Sequence, residues 1–291
     1  MQVAAGVWRI RADNPSPMTG SGTNSYVLIG PEGAVVIDPG PALPAHLAAL
    51  RAALGASPVR AVLLTHPHLD HSSLVPALKA ETGAQVYGFG TAQAGRSAVM
   101  TRLADAGLRG GGEGVDTAFA PDATVGDGEM LHLAGLQIGA IHTPGHMGAH
   151  LCFALGDVLF SGDHVMGWAS TLISPPDGDM AQYMASLAKL AARRWQQFLP
   201  GHGEAIADPA ARLAELAAHR RAREAAIVGA LRHAPARPAE LAAQLYTDTA
   251  PALLPAAARN ILAHLIDLHG RNIVTTQDPL GAEAIFKIMP A

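Results

Sequence analysis

A single cysteine, Cys152, among 291 residues leaves no partner inside the chain, which excludes an intrachain disulfide scaffold. Cys152 falls in the apolar segment Leu151 to Leu155 and reads as a core thiol. Long hydrophobic runs are missing as well: Gly, Pro or charge interrupts each one short of the ~18–20 residues that a membrane span requires. Met1 to Asn14 carries no apolar run of signal-peptide type. Together these absences predict a cytoplasmic protein with no membrane partner. Charge is sparse, at 15% of residues, and only weakly divided. Residues 1–189 carry nine basic against fifteen acidic side chains, net −6, and residues 190–291 carry eleven against nine, net +2. A dedicated nucleic-acid module is usually far more basic, because phosphate contacts supply most of its affinity. With 49% hydrophobic residues, the chain can bury a core large enough for one large domain and one small one.

Histidine is plentiful, at 14 residues, and it is clustered. His66-Pro67-His68-Leu69-Asp70-His71 packs three imidazoles and a carboxylate into one turn. The run before it, Val59 to Leu64, reads as a buried strand, and Thr65 ends that strand with a hydroxyl able to bond the turn. The cluster therefore sits at a strand's carboxyl end, where α/β proteins place their chemistry. Three later segments repeat the design of a short apolar strand, a glycine and one ligand-type side chain. They are Thr143-Pro144-Gly145-His146, Phe160-Ser161-Gly162-Asp163 and Phe198-Leu199-Pro200-Gly201-His202-Gly203. Imidazole and carboxylate without thiolate suit zinc, and also iron or manganese.

In this order the residues resemble the metallo-β-lactamase superfamily, whose pattern is H-x-H-x-D-H, then His, a bridging Asp and His. The resemblance implies that His66, His68 and His146 hold one metal, that Asp70, His71 and His202 hold a second, and that Asp163 bridges them. It further implies an α+β fold, an αββα sandwich, with two zinc ions as cofactors and a water between them as nucleophile, its pKa lowered toward ~7. Asp70 then both binds metal and orients the nucleophile. Ser72 and Ser73 have no evident base and read as a helix start. Asp38, ending the strand Val35 to Ile37, either supports a ligand histidine, as is common in the resembled family, or simply forms the turn before Pro39-Gly40. His150 and His164 are candidates for contact with substrate or with the ligands.

Strands are expected at Gly6 to Ile10, Ser25 to Ile29, Ala34 to Ile37, Met130 to Leu133, Gln137 to Ile141, Leu151 to Ala154 and Val158 to Phe160. Helices are expected at Ala42 to Leu54 and Met180 to Arg194. The stretch Leu108 to Gly128, with Arg109-Gly110-Gly111-Gly112-Glu113-Gly114, reads as a surface connection bordering the substrate cleft, as does Ser174 to Asp179. After His202 the composition shifts to Ala, Arg and Leu with helical spacing. Helices over Pro209 to Arg232, Pro238 to Tyr246 and Leu254 to His269 precede a hairpin, Arg271 to Thr276 with Ala284 to Ile288. That is the order of a winged helix and divides the chain into a catalytic domain, 1–207, and a small winged-helix-like domain, 208–291.

The tail, with Thr23-Asn24-Ser25-Tyr26 and His219-Arg220-Arg221-Ala222-Arg223-Glu224, resembles the β-lactamase-like protein 2 group. Arginines 193, 194, 220, 221, 223 and 232 form either a local basic patch or, on an alanine-rich helix, a solvated face. The tail binds nucleic acid, covers the cleft or makes a homodimer contact. Three functions follow: a dinuclear hydrolase cutting single-stranded RNA or another phosphodiester; a small-molecule ester, lactone or thioester hydrolase like glyoxalase II, whose glutathione-binding helices the tail does not resemble; or a nucleic-acid-binding protein with a structural metal. The last conflicts with seven ligands, since structural zinc sites are closed four-ligand sites.

Overall fold

The computed structural model describes residues 1–110 and 114–290. Among these residues the first sheet has seven strands, hydrogen-bonded in chain order. They are β1 (Gln2–Ala4), β2 (Val7–Arg11), β3 (Asn24–Gly30), β4 (Gly33–Ile37), β5 (Val59–Leu63), β6 (Gln85–Gly88) and β7 (Ala123–Thr124). Strands β1 to β4 meander antiparallel. From β4 to β7 the pairing is parallel, because helices carry the chain back between strands. These are α1 (Pro44–Leu54), the single turn α2 (Leu69–Ser72), α3 (Val75–Thr82) and α4 (Ala98–Asp105).

The second sheet repeats this plan with β8 (Met130–Leu133), β9 (Leu136–His142), β10 (Leu151–Leu155), β11 (Val158–Gly162) and β12 (Gln197–Pro200). The first four are antiparallel, and α5 (Met180–Ala191) crosses over so that β12 lies parallel to β11.

Side-chain alternation along the strands explains the layering. In β4, Val35 and Ile37 face the second sheet, whereas Ala34 and Val36 face α1 and α3 with Leu50, Leu54 and Leu78. In β10, Leu151 and Phe153 join the inter-sheet core, while Cys152 and Ala154 pack outward with Leu187 of α5. Strands buried on both faces read as continuous apolar runs, which makes them visible in the sequence. The order is helix, sheet, sheet, helix.

The remaining chain forms α6 (Pro209–His233), α7 (Pro238–Leu245), α8 (Leu254–Gly270), β13 (Val274–Thr275) and β14 (Lys287–Ile288) around a core of its own. Met100 and Leu103 of α4 also enter that core, so the module is docked on the sandwich.

Three expectations need correction. Ser72 and Ser73 do not start a helix: they close the α2 turn, and α3 begins only at Val75. The hairpin pairs only Val274–Thr275 with Lys287–Ile288, because Phe286 is buried in the module core and its backbone pairs instead with Ala236. The arginines of α6 do not all form a solvated face: Arg220 is 1% exposed, and Arg223 stacks on Tyr246 while donating to the Leu245 carbonyl. Of the glycine-rich connection, residues 111–113 lie outside the described residues. Its flanks, Arg109-Gly110 and Gly114-Val115, border the cleft described below.

Candidate metal centre

Five strand ends meet at one edge of the sandwich. Strand β4 delivers Asp38, β5 delivers the hexad, the β9–β10 connection His146, β11 Asp163, and β12 His202. The seam between the sheets is closed by Asn24, whose amide donates to the carbonyls of Pro200 (3.0 Å) and Gly203 (2.8 Å). Two glycines permit the approach. A Cβ on Gly201 would lie 2.3 Å from Asp163 Oδ1, and one on Gly145, at φ +147°, 2.4 Å from the Tyr183 Cα.

All seven candidate ligands come together. His66, His68 and His146 form one group; His66, His71 and Asp163 a second; Asp70, His71 and His202 a third, each with its donor atoms within 4.8 Å of one another. His68 Nδ1 lies 3.0 Å from His66 Nε2 and 3.1 Å from His146 Nε2. Asp163 Oδ2 is 3.9 and 3.8 Å from those two Nε2 atoms and 3.2 Å from His202 Nε2. His71 Nε2 stands 3.5 Å from Asp163 Oδ1 and 3.4 Å from Asp70 Oδ2. Two ligands about 2.1 Å from one tetrahedral cation sit about 3.4 Å apart, which is the spacing seen.

The surrounding hydrogen bonds set the tautomers. His71 Nδ1 donates to Asp38 Oδ2 (2.9 Å), His146 Nδ1 to the Leu172 carbonyl (2.8 Å) and His202 Nδ1 to the Gly22 carbonyl (3.3 Å). Thr65 Oγ1 gives its proton to Asp38 Oδ2 (2.6 Å) and so accepts from His66 Nδ1 (3.0 Å). Each of these imidazoles, when neutral, therefore turns a bare Nε2 lone pair toward the others. Bare lone pairs repel, and among the described residues His71 Nε2, Asp70 Oδ1 and Asp163 Oδ1 are buried without a hydrogen-bond partner. Protons on His71 and His202 can pair with Asp70 and Asp163, but the lone pairs of neutral imidazoles cannot satisfy one another; divalent cations would satisfy the whole set.

Electrostatics divide the imidazoles. Burial, reinforced by neighbouring imidazoles, lowers His66 well below its ordinary value and His68 to about 3. Burial also opposes charge on His71 and His202, but Asp70, Asp163 and Asp38 outweigh it at His71, which is raised well above the usual value. Asp163 and Asp70 do the same at His202, raised to about 9. Burial works against ionised Asp70 and Asp163 too, yet His71 and His202 hold both carboxyls below the usual range.

Of the other expected residues, Asp38 sits at a left-handed φ of +50° and also accepts from the Thr65 backbone N–H (2.7 Å). It braces the hexad's first turn and His71 together. His150 and His164 are both fully buried behind the cluster rather than in the cleft. His150 Nδ1 meets Thr143 Oγ1 at 2.9 Å and its ring lies 5.2 Å from that of His66; His164 packs on His150 and Tyr183. A cleft of about 440 Å³ opens beside His68 and His146, walled by Val115 and Leu172, with Gln93 and Arg96 at its polar side.

A family model described as "Metallo-beta-lactamase superfamily" matches residues 18–202, which is more than half of the chain and spans every candidate ligand. The chain belongs to the metallo-β-lactamase superfamily. A second model, "Beta-lactamase associated winged helix domain", matches residues 238–279, so this superfamily member has a metallo-β-lactamase fold followed by a winged helix. Its sequence is 30% identical over 279 residues to a β-lactamase-like protein 2 homolog of Drosophila melanogaster, covering 92% of this chain and 89% of that one. An atrochrysone carboxyl ACP thioesterase of Aspergillus chevalieri is 29% identical over 230 residues, 78% of this chain and 66% of that one. The crystal structure of a metallo-β-lactamase family protein from Thermus thermophilus superimposes with a TM-score of 0.77 at 26% identity, over 99% of this chain and all of that one. As a member of this superfamily, with a thioesterase among its relatives, the protein is a metal-dependent hydrolase.

Sequence reasoning overlooks several supports of the centre. The acceptors Gly22 O and Leu172 O are backbone atoms and leave no residue-type signal. Thr23 Oγ1 donates to Asp70 Oδ2 (2.9 Å) from within the Thr23-Asn24 pair, a short polar break before an apolar strand.

Proposed function

We propose that this chain is a dinuclear metal hydrolase that cleaves a thioester or related carboxylic ester of a small substrate. The observation that carries the reading is the set of imidazoles tethered through Nδ1, their Nε2 atoms converging on Asp163. On this reading His66, His68 and His146 would hold one divalent cation, Asp70, His71 and His202 would hold the other, and Asp163 would serve both. Zinc suits these donors, as do iron and manganese. Two such cations would supply Lewis acidity and a water whose pKa is lowered toward ~7.

The chain's own residues orient and exclude. Asp70 accepts from Thr23 through Oδ2 and keeps Oδ1 for orienting the attacking water and receiving its proton. Asp38, Thr65 and the Leu172 carbonyl hold imidazole protons on the Nδ1 side. A covalent nucleophile finds no support. Ser72 Oγ donates to Asp116 (2.7 Å) and Ser73 Oγ to the Leu69 carbonyl (2.5 Å), while burial pushes the Cys152 thiol up to about 12.

Substrate size follows from the cleft, whose 440 Å³ suits a small molecule, with Val115 and Leu172 offering apolar contact in a lining that is otherwise largely polar. The name of the Aspergillus chevalieri relative favours a thioester. In helix-turn-helix proteins the second helix enters the nucleic-acid groove. Here the corresponding helix, α8, buries Ile261 to Ile266, and its Arg259 donates to Ser174 Oγ (2.6 Å) and the Arg109 carbonyl (2.6 Å) at the cleft rim. That favours a tail that lines the cleft. A second reading, cleavage of single-stranded RNA or another phosphodiester, is favoured by Arg109 and Arg96 at the cleft, although Arg96 is paired there with Asp177 (2.5 Å).

The test is a parallel assay of the full chain loaded with zinc, on an acyl thioester, a lactone, an aryl phosphodiester, single-stranded RNA and a chromogenic β-lactam. The thioester is expected to give the highest kcat/KM, abolished by a chelator and restored by zinc. RNA turnover above that of the thioester would install the second reading; no turnover of any substrate would sink both.

A further inference from the structure

His219 to Glu224 is the one motif of the long helix that hydrolysis does not explain, and Arg220 within it is the largest of the fully buried side chains. Its guanidinium has no carboxylate partner among the described residues. Nη2 donates to the Thr171 carbonyl, Nη1 to Asn260 Oδ1 (3.4 Å), the charge lies 5.3 Å from the Tyr183 ring centre, and Nε is without a partner among the described residues. Burying a cation against neutral acceptors is costly, and a methionine would fill the space at less cost. The bonds themselves must therefore matter.

They lead to the metal centre. Thr171 Oγ1 donates to the carbonyl of Asp163, the next residue's carbonyl, Leu172 O, accepts from His146 Nδ1 (2.8 Å), and Ile173 N–H donates to Asn260 Oδ1 (2.9 Å). The loop from Asp163 to Ile173 thus carries one candidate ligand at its start and the orienting acceptor of another near its end. From behind, it is gripped by Arg220 of α6 and Asn260 of α8. The geometry assigns to Arg220 the role of a positioning residue for the metal centre: it fixes the loop that sets both Asp163 and the His146 tautomer. The C-terminal module is thereby part of the centre's scaffold. This inference rests on the proposed assignment of His146 and Asp163 as metal ligands.

The experiment compares the zinc-loaded full chain with Arg220→Met, Arg220→Lys, Asn260→Ala and, as control, Arg223→Met, which alters the same helix but has no bond toward the centre. Readouts are zinc per chain, the rate of zinc release to a chelator, the visible absorption of the cobalt-loaded forms and the melting temperature. Arg220→Met is expected to release zinc about 10- to 100-fold faster and to shift the cobalt band. Arg220→Lys, still able to donate to Thr171, should fall between it and the wild type. Arg223→Met should melt earlier with unchanged release. Wild-type release rates in Arg220→Met, or equal acceleration in Arg223→Met, would overturn the inference. If Arg220→Met does not fold, Asn260→Ala decides in the same way: faster release supports the inference and unchanged release overturns it. A wild type that binds no ion would instead overturn the dinuclear reading, and this inference with it.

Discussion

His66 and His68 are held below the ordinary imidazole range, His68 at about 3, whereas His71 and His202 in the same cluster are held above it, His202 at about 9. Both pairs are buried, so burial does not separate them. The difference lies in neighbours: imidazoles crowd His66 and His68, and carboxylates surround His71 and His202. In the metal-stripped chain the first pair is ready to bind as neutral ligands. The second must first lose protons. On the proposed dinuclear reading, two sites built from nearly the same side chains would therefore differ in how proton concentration competes with metal.

The largest test removes what the two groups share. Asp163→Ala deletes the carboxylate between them, and the loss of several kcal/mol of transition-state stabilisation predicts turnover down about 10³-fold. Zinc per chain should drop from two toward one by elemental analysis, and unchanged turnover would show that the chemistry lies elsewhere. Next, pH should separate the groups. Below about pH 9 the second group binds with proton release, so its affinity falls about tenfold per pH unit for each proton expelled, while His66 and His68 release none. Zinc titrations at fixed free metal should find two ions per chain at pH 8.5 and one at pH 6. Equal losses at both sites would contradict the division. Smaller again is Asp38→Asn, which weakens the tether on His71 Nδ1. Affinity at the second site should fall about 10-fold with little change at the first, read by competition with a chelating dye.

How much of this is legible in the sequence depends on where each feature's cause resides. The hexad, Gly145-His146, Gly162-Asp163 and Gly201-His202 are readable because side-chain type and spacing are what the chemistry requires. Strands β3, β4, β5 and β10 are readable because burial on both faces leaves uninterrupted apolar runs. The short α4 and β6 are not, since four to eight residues carry too little period, and α4 owes its place to Met100 and Leu103 packing against residues far along the chain. Arg220 escapes the sequence for a related reason. An arginine on an alanine-rich helix looks solvated until the tertiary partner, here the Thr171 carbonyl, is known. Asp38 reads as either turn-former or support, and its geometry serves both: its φ of +50° makes the turn and its carboxylate accepts a hydrogen bond from His71 Nδ1.

The Asn24 seam has a consequence for how the protein is made. Chains emerge from the ribosome amino end first, so the hexad is synthesised well before residues 200–203, to which Asn24 bonds across 176 and 179 positions of sequence. Contacts of such separation form late, after loop-closure entropy has been overcome. Until that segment has been made, the candidate ligands of the hexad lack His202, and the edge at which they converge cannot close. The edge that gathers the hexad, His146 and Asp163 is therefore completed only when the last strand of the second sheet brings His202 to the seam.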